Sequence, residues 1–227
     1  MKIDAMKTKP PKIFYRRNLP HYQPAAGSFF ITFRLNDSIP AIQLKTLQEA
    51  YYASRKEIEN GQYLLKNKLL LAERKRYFQQ VDRLLDAIIS GPVFLANPGV
   101  ASLVKDQLHR FDGELYDLIA YCIMPNHVHL LIDTGIQFPE DLPPDFEEQH
   151  FHTPLHNILK KIKGPTAVGA NRLLGRKNRF WRRESFDYLI RNDREFDRIC
   201  AYILNNPVKA GLAKTWSDFP FSFFKYA

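Results

Sequence analysis

The sequence predicts an α+β fold built on one main domain, and three stretches carry that prediction. Ser28 to Leu35 (SFFITFRL) is dense in aromatic and β-branched residues, the composition of a strand. Leu115 to Met124 and His127 to Asp133 are two further runs of this kind, separated only by Pro125 and Asn126, the spacing of an antiparallel hairpin. From about Ala41 to Ile89 the chain is rich in Leu, Ala, Lys, Glu, Gln and Arg, with an interruption at Asn60 and Gly61, which predicts two helices or one long broken helix. A chain of 227 residues can bury one core, or one core with a helical extension.

Taken in order, residues 1–27 are basic, dotted with proline and without hydrophobic period, and read as a mobile arm that drapes on phosphates or merely solubilises the chain. The strand at Ser28 ends at Asn36, Asp37 and Ser38, and the helical stretch that follows shows no chemistry of its own. A helix over about Pro98 to Arg110 starts after Asn97 and carries Val100, Leu103, Val104 and Leu108 at helical spacing. The acidic, proline-rich stretch Gln137 to Gln149 reads as a loop. Thr153 and Pro154 form a good helix start, with Leu155, Ile158, Leu159 and Ile162 as its core stripe, and Gly164–Pro165 is expected to break or kink that helix. Phe186 to Ile190 reads as a strand, and a last helix begins at Asn192, with Glu195 completing a capping box and Pro207 ending the helix.

Lys and Arg outnumber Asp and Glu by 33 to 24, a formal charge of +9, which favours a polyanionic partner such as nucleic acid. Cys122 and Cys200 lie in apolar surroundings with no paired spacing and read as buried thiols. No stretch approaches the roughly 18 unbroken apolar residues of a membrane span, and no signal-peptide core is present, so a soluble protein of a reducing, cytoplasmic compartment is expected.

Chemistry concentrates in two places. His127 and His129 sit two apart on a predicted strand, so both rings point to one face, as a metal pair would or as two histidines satisfied by hydrogen bonds would. On the last helix Tyr202 and Asn206 are four apart, with Cβ atoms about 6 Å from one another, and can address one ion. The alternative there is a tyrosine packed on the core flank and an asparagine capping carbonyls before Pro207. A phenol with an ordinary pKa near 10 attacks poorly at neutral pH, so such chemistry needs a Lewis acid beside it. A second His-x-His, His150 and His152, lacks a strand to hold both rings in register. Tyr188 has Asn192 four residues on, but in a strand that spacing spans roughly 13 Å, too far to share an ion.

Between His150 and Arg183 no acidic residue occurs, while Lys160, Lys161, Lys163, Arg172, Arg176, Lys177, Arg179, Arg182 and Arg183 accumulate, the best candidate DNA-binding segment. Trp181 within it is either a base-stacking ring or a core anchor.

The runs YCIMPNHVHLLI, FWRRESFDYLIRND and AYILNNPVKAGL, in this order, resemble the REP-associated tyrosine transposases, relatives of the single-tyrosine insertion-sequence transposases. The likeness covers Ser28 to Leu35 and the chain from about Pro98 onward. It implies a ferredoxin-like HUH fold, an antiparallel sheet flanked by helices. Residues 28–227 would then form a single transposase domain with a helical insertion at about 41–89. By position it implies a nucleophile at Tyr202, metal ligands at His127, His129 and Asn206, and Mg²⁺ or Mn²⁺ as the ion. The expected partner is single-stranded or hairpin DNA, cut through a 5′-phosphotyrosine, by a nucleoid-associated monomer or homodimer. The alternatives are a domesticated protein that binds hairpins without cutting them, and a metal-independent ribonuclease using His127 and His129 as acid and base.

Overall fold

In a computed structural model of the protein, the residues described are 12–16, 20–24, 26–87, 91–138 and 153–227, with backbone alone for the first two segments. The fold is α+β. Among the described residues five antiparallel strands form the main sheet, in the order β6–β3–β5–β4–β7, where β3 is Ser28–Arg34, β4 Asp117–Ile123, β5 His127–Asp133, β6 Phe186–Leu189 and β7 Ser222–Phe224. The short strand β7 was not foreseen; its SFF is flanked by further aromatics and pairs with the outer edge of β4. Within the segment expected as an arm, β1 (Lys12–Arg16) and β2 (Pro20–Pro24) pair as a separate two-stranded ribbon. The rest of residues 1–25 lies outside the described residues, as do the acidic stretch 139–149 and the histidines at 150 and 152.

Strand alternation divides the sheet into two faces. Phe29, Ile31 and Phe33 of β3 and Val128, Leu130 and Ile132 of β5 point to one side, where they pack on α3 (Pro98–His109) and α4 (Leu155–Leu173). Helix α3 starts as expected, Asn97 accepting from the amides of Gly99 and Val100. It lies close against α4: a Cβ on Gly169 would sit 3.0 Å from the Leu103 side chain. Helix α4 runs on past Gly164–Pro165 instead of breaking. Pro165 is exposed, so its missing N–H costs little beyond one bond, while Ile158, Leu159, Ile162 and Ala170 hold both halves in the core.

The opposite face carries Phe30, Leu131, Ala120 and Cys122, covered by α5 (Asp193–Lys209) through Ile199, Cys200 and Ile203. An irregularity between Leu118 and Ala120 lets β4 keep this alternation, so that Cys122 stands opposite His129. Asn192 caps α5 by accepting from the Glu195 amide, but the Glu195 carboxylate does not reach back to its partner. It takes the Tyr188 hydroxyl at 2.6 Å, the Lys75 ammonium at 3.1 Å and the Arg191 amide at 3.3 Å, joining the helix start to β6 and to a neighbouring helix. Pro207 does not end α5; the helix continues to Lys209 because proline's fixed φ suits a helix and only one N–H is forfeited.

The helical stretch forms an antiparallel pair, α1 (Ala41–Asn60) and α2 (Lys66–Asp86), closed by Tyr51 on Tyr77 with ring centroids 4.7 Å apart. Its two ends meet, since a Cβ on Gly91 would lie 2.5 Å from the Asp37 carbonyl, and Gly91 takes a positive φ of 100°. Helix α2 also covers the second sheet face, Phe78 meeting Phe30 edge-on at 5.6 Å. Its end is tied to the β4–β5 turn by buried Asn126, which donates to the Leu85 carbonyl at 2.9 Å and accepts from His127 Nδ1 at 2.6 Å. Asn126→Ala leaves His127 Nδ1–H buried without its acceptor and removes a bond to the Leu85 carbonyl, so we expect a loss of roughly 1–3 kcal/mol in urea unfolding with an unchanged m-value. A loss below about 0.5 kcal/mol would show that this tie does not hold the insertion to the sheet.

Candidate active site

His127 and His129 project from β5 toward α2 and α5 and are fully buried. Register sets them opposite Arg34 and Thr32 of β3. The Asn126 amide is oriented by its bond to Leu85, so its oxygen accepts from His127 Nδ1–H, which leaves Nε2 of His127 as a lone pair. That lone pair faces Nε2 of His129 at 2.9 Å. The other ring nitrogen of His129 lies 2.8 Å from the Thr32 hydroxyl, which either donates or accepts. With its proton on Nε2, His129 donates to His127. With the proton on Nδ1 it donates to Thr32, and both Nε2 lone pairs then converge on one point, as two imidazole ligands of one ion do. Burial pushes both rings well below the ordinary histidine value, His129 to about 3, with the neighbouring imidazole acting second on His127 and Lys209 second on His129.

Asp82 of α2 completes a cluster in which one donor atom each from Asp82, His127 and His129 lies within 4.8 Å of the others. Its Oδ1 stands 3.5 Å from His129 Nε2 and accepts no hydrogen bond, while its Oδ2 accepts from the Tyr202 hydroxyl. Burial raises the Asp82 carboxyl above its usual range, against the lowering pull of His127 and the Tyr202 hydrogen bond. The Tyr202 phenol is pushed far above its usual value by burial first and the adjacent carboxylate second. Its ring lies edge-on to His129, centroids 5.2 Å apart. Asn206, one turn on, is buried; its amide nitrogen donates to the Tyr202 carbonyl at 3.2 Å and its Oδ1 has no hydrogen-bond partner.

The structure thus brings His127, His129 and Tyr202 together, with Asn206 buried beside the tyrosine. It adds Asp82, from the stretch in which no chemistry was seen. A signal was present: Asp82 shares the helix face of Phe78 and Leu85, a carboxylate on an apolar stripe where charge is costly. The imidazole nitrogens and Asp82 Oδ1 make a donor set of nitrogen and oxygen that fits a divalent first-row ion or Mg²⁺, and Asn206 Oδ1, on the helix that carries Tyr202, is a further buried oxygen without a partner. Tyr188, buried and bound to Glu195, has no part in this cluster.

The basic segment gathers elsewhere. Lys160, Lys163, Lys177, Arg179, Arg182 and Arg183 line a groove of about 600 Å³ between α4 and the stretch leading into β6. Lys161, Arg172 and Arg176 lie outside it, and the Arg176 guanidinium covers the Phe94 ring at 3.8 Å. Lys163 is a structural clamp, donating to the Arg182 carbonyl at 2.7 Å and to Ser185 Oγ at 3.0 Å. Trp181 is a core anchor: 5% exposed, edge-on to Phe33 at 4.9 Å, with its indole N–H on Thr166 at 3.0 Å. Its ring faces are therefore closed to a base.

Two histidines on an antiparallel sheet, a carboxylate from α2 and a tyrosine from α5 thus meet in one cluster of an α+β fold, a candidate metal-binding site. The chain is similar to a Haemophilus influenzae protein provisionally named a REP-associated tyrosine transposase, 29% identical over 109 residues. The match takes in 48% of this chain and 59% of the relative, so less than two thirds of the relative's length is spanned. A solved structure described as a REP-associated tyrosine transposase bound to a REP hairpin aligns over 92% of this chain and 80% of that one, at a TM-score of 0.42 and 19% identity. No protein-family model matches the chain. Among the described residues, no helix is long and apolar enough to cross a membrane.

The depressed histidines carry a pH signature. Each binds its proton near 6.5 when unfolded and only at lower pH when folded, so stability falls as pH drops below about 6.5. Asp82 and Asp86, raised by burial, act in the opposite sense, the folded form taking up the proton first as pH falls. A His127→Gln, His129→Gln double variant isolates the first effect. In EDTA, the unfolding free energy of the wild type relative to the variant is expected to decline between pH 6.5 and 4.5 by up to about 1.4 kcal/mol per pH unit per histidine. Parallel pH curves would mean that the imidazoles are not held neutral.

Proposed function

We propose that this chain is a metal-dependent, single-tyrosine DNA nuclease and strand transferase acting on single-stranded or hairpin DNA, with residues 28–227 as one catalytic domain, active as a monomer or homodimer. The observation that carries the reading is the Asp82 carboxylate, one oxygen turned to the buried imidazole pair and the other holding the Tyr202 hydroxyl. The motif likeness, and the similarity to a relative provisionally named a tyrosine transposase, point the same way.

His127, His129 and Asp82, with Asn206, would hold Mg²⁺ or Mn²⁺, which when bound draws charge from the scissile phosphate. Tyr202 Oη forms a bond to phosphorus as the P–O3′ bond breaks; the strand's 5′ phosphate stays on the tyrosine and the 3′ oxygen leaves, taking a proton from water to become a hydroxyl. Asp82 Oδ2, which accepts the Tyr202 hydroxyl, is placed to take the phenol proton. The covalent intermediate preserves the phosphoester, so the reverse displacement rejoins a strand. The basic groove beside α4 supplies phosphate contacts for the paired stem, with exposed Lys177, Arg179 and Arg183 as its freest cations.

The test is a labelled hairpin oligonucleotide incubated with protein and Mn²⁺ or Mg²⁺, resolved on a denaturing gel. The wild type is expected to give a covalent protein–DNA adduct that EDTA abolishes, Tyr202→Phe none, and Asp82→Asn a rate lower by about 10²- to 10⁴-fold. An adduct in Tyr202→Phe overturns the nucleophile. Binding without an adduct in the wild type favours the non-catalytic hairpin-binding alternative.

A further inference from the structure

We infer that the groove between α2 and the β6–α5 corner docks one unpaired nucleobase of the DNA strand, next to the phosphate that Tyr202 attacks, and so contributes to target specificity. This rests on the function proposed above and extends it to a second subsite. The groove measures about 420 Å³, and both Asp82 and Tyr202 are part of its lining. That volume is within the range of about 300–1,000 Å³ typical of small-ligand sites.

Its apolar wall is aromatic. Phe78 of α2 and Phe186 of β6, both half-buried, stack at 3.9 Å, and Phe30 of the sheet meets Phe78 at 5.6 Å and Tyr202 at 5.8 Å. A base in a duplex has both faces covered by its neighbours, whereas an unpaired base can stack on such rings. Around the wall stand Lys75, Arg83, Arg198 and Lys209, and Asp82 is the one carboxylate of the lining among the described residues. Lys75 and Lys209 are engaged by Glu195 and Asp86, both just behind the rim. Arg83 is exposed, and Arg198, with 68% of its side chain exposed, touches Glu195 only at 3.8 Å, so these two are best placed for the flanking phosphates. The basic groove beside α4 differs in kind, because its aromatic residues Phe180 and Trp181 are buried, which suits a backbone and not a base. Phe78 and Asp82 are one turn apart on α2, so the insertion delivers the stacking wall together with the carboxylate.

The experiment is an abasic scan. Hairpin oligonucleotides with a single-stranded flank, each lacking one base in turn, are titrated against Tyr202→Phe protein in Mn²⁺, where no cleavage intervenes. One flank position is expected to lose affinity by about 5- to 100-fold, and 2-aminopurine at that position should be quenched on binding. Phe78→Leu, which keeps apolar bulk but removes the ring, should erase most of that difference. Arg83→Ala should weaken every oligonucleotide alike and lower the salt slope by about one. A flat scan, or a scan unchanged by Phe78→Leu, overturns the subsite. A flat scan beside a normal wild-type adduct leaves the nuclease standing, and a position-specific scan without any adduct does the reverse.

Discussion

The second sheet face is organised around a surplus of acceptors under cover. Asp82 Oδ1 and Asn206 Oδ1 have no hydrogen bond, and the Nε2 atoms of His127 and His129 face each other at 2.9 Å. Burying such groups without donors costs roughly 1–3 kcal/mol apiece. The Tyr202 hydroxyl relieves one carboxylate oxygen, and Asn126 and Thr32 hold the imidazoles by their outer nitrogens. What is left is a concave set of lone pairs, the arrangement that a cation stabilises and that protein donors here do not.

The sheet keeps this cost away from the rest of the core. Because side chains alternate along β5, the residues between the two histidines and beyond them, Val128, Leu130 and Ile132, are fully buried on the other face against α3 and α4. That side is almost wholly apolar and supplies the stability, while the face under α2 and α5 holds the polar cluster beside a smaller apolar patch. The two basic surfaces follow the same division. One groove opens beside α4, on the packing side, and the other opens over Tyr202, between α2 and α5.

Most of the β-sheet scaffold was legible because its signals are local. The HVH spacing, the two-residue turn at Pro125 and Asn126 and the strand at Ser28 each follow from periodicity within a few residues. The pairing of Tyr202 with Asn206 likewise follows from one helical turn. Asp82 was not legible in this way, because its meaning depends on where α2 lands, and nothing between residues 41 and 89 specifies that the helix crosses the histidine face. Trp181 was ambiguous for a related reason: a basic neighbourhood in sequence says nothing about whether the ring turns inward to Thr166. Pro207 was over-read as a helix end, and Pro165, expected to break or kink its helix, does not break it, since the cost of a missing N–H is small where tertiary contacts hold the turns on either side.

On the proposed reading, the burial that makes the cluster costly is also what prepares it. An exposed histidine pair would be partly protonated near neutral pH, and an ion would have to displace those protons. Here desolvation, helped by the neighbouring imidazole at His127 and by Lys209 at His129, holds both rings well below the ordinary histidine value, so their lone pairs stand ready. The same desolvation raises Asp82 and Tyr202 together, which keeps the phenol protonated on its carboxylate in the free protein. A nucleophile held in that state is inert toward bulk solvent. It would acquire reactivity when positive charge enters beside it, because such charge favours the phenolate that burial and the adjacent carboxylate oppose.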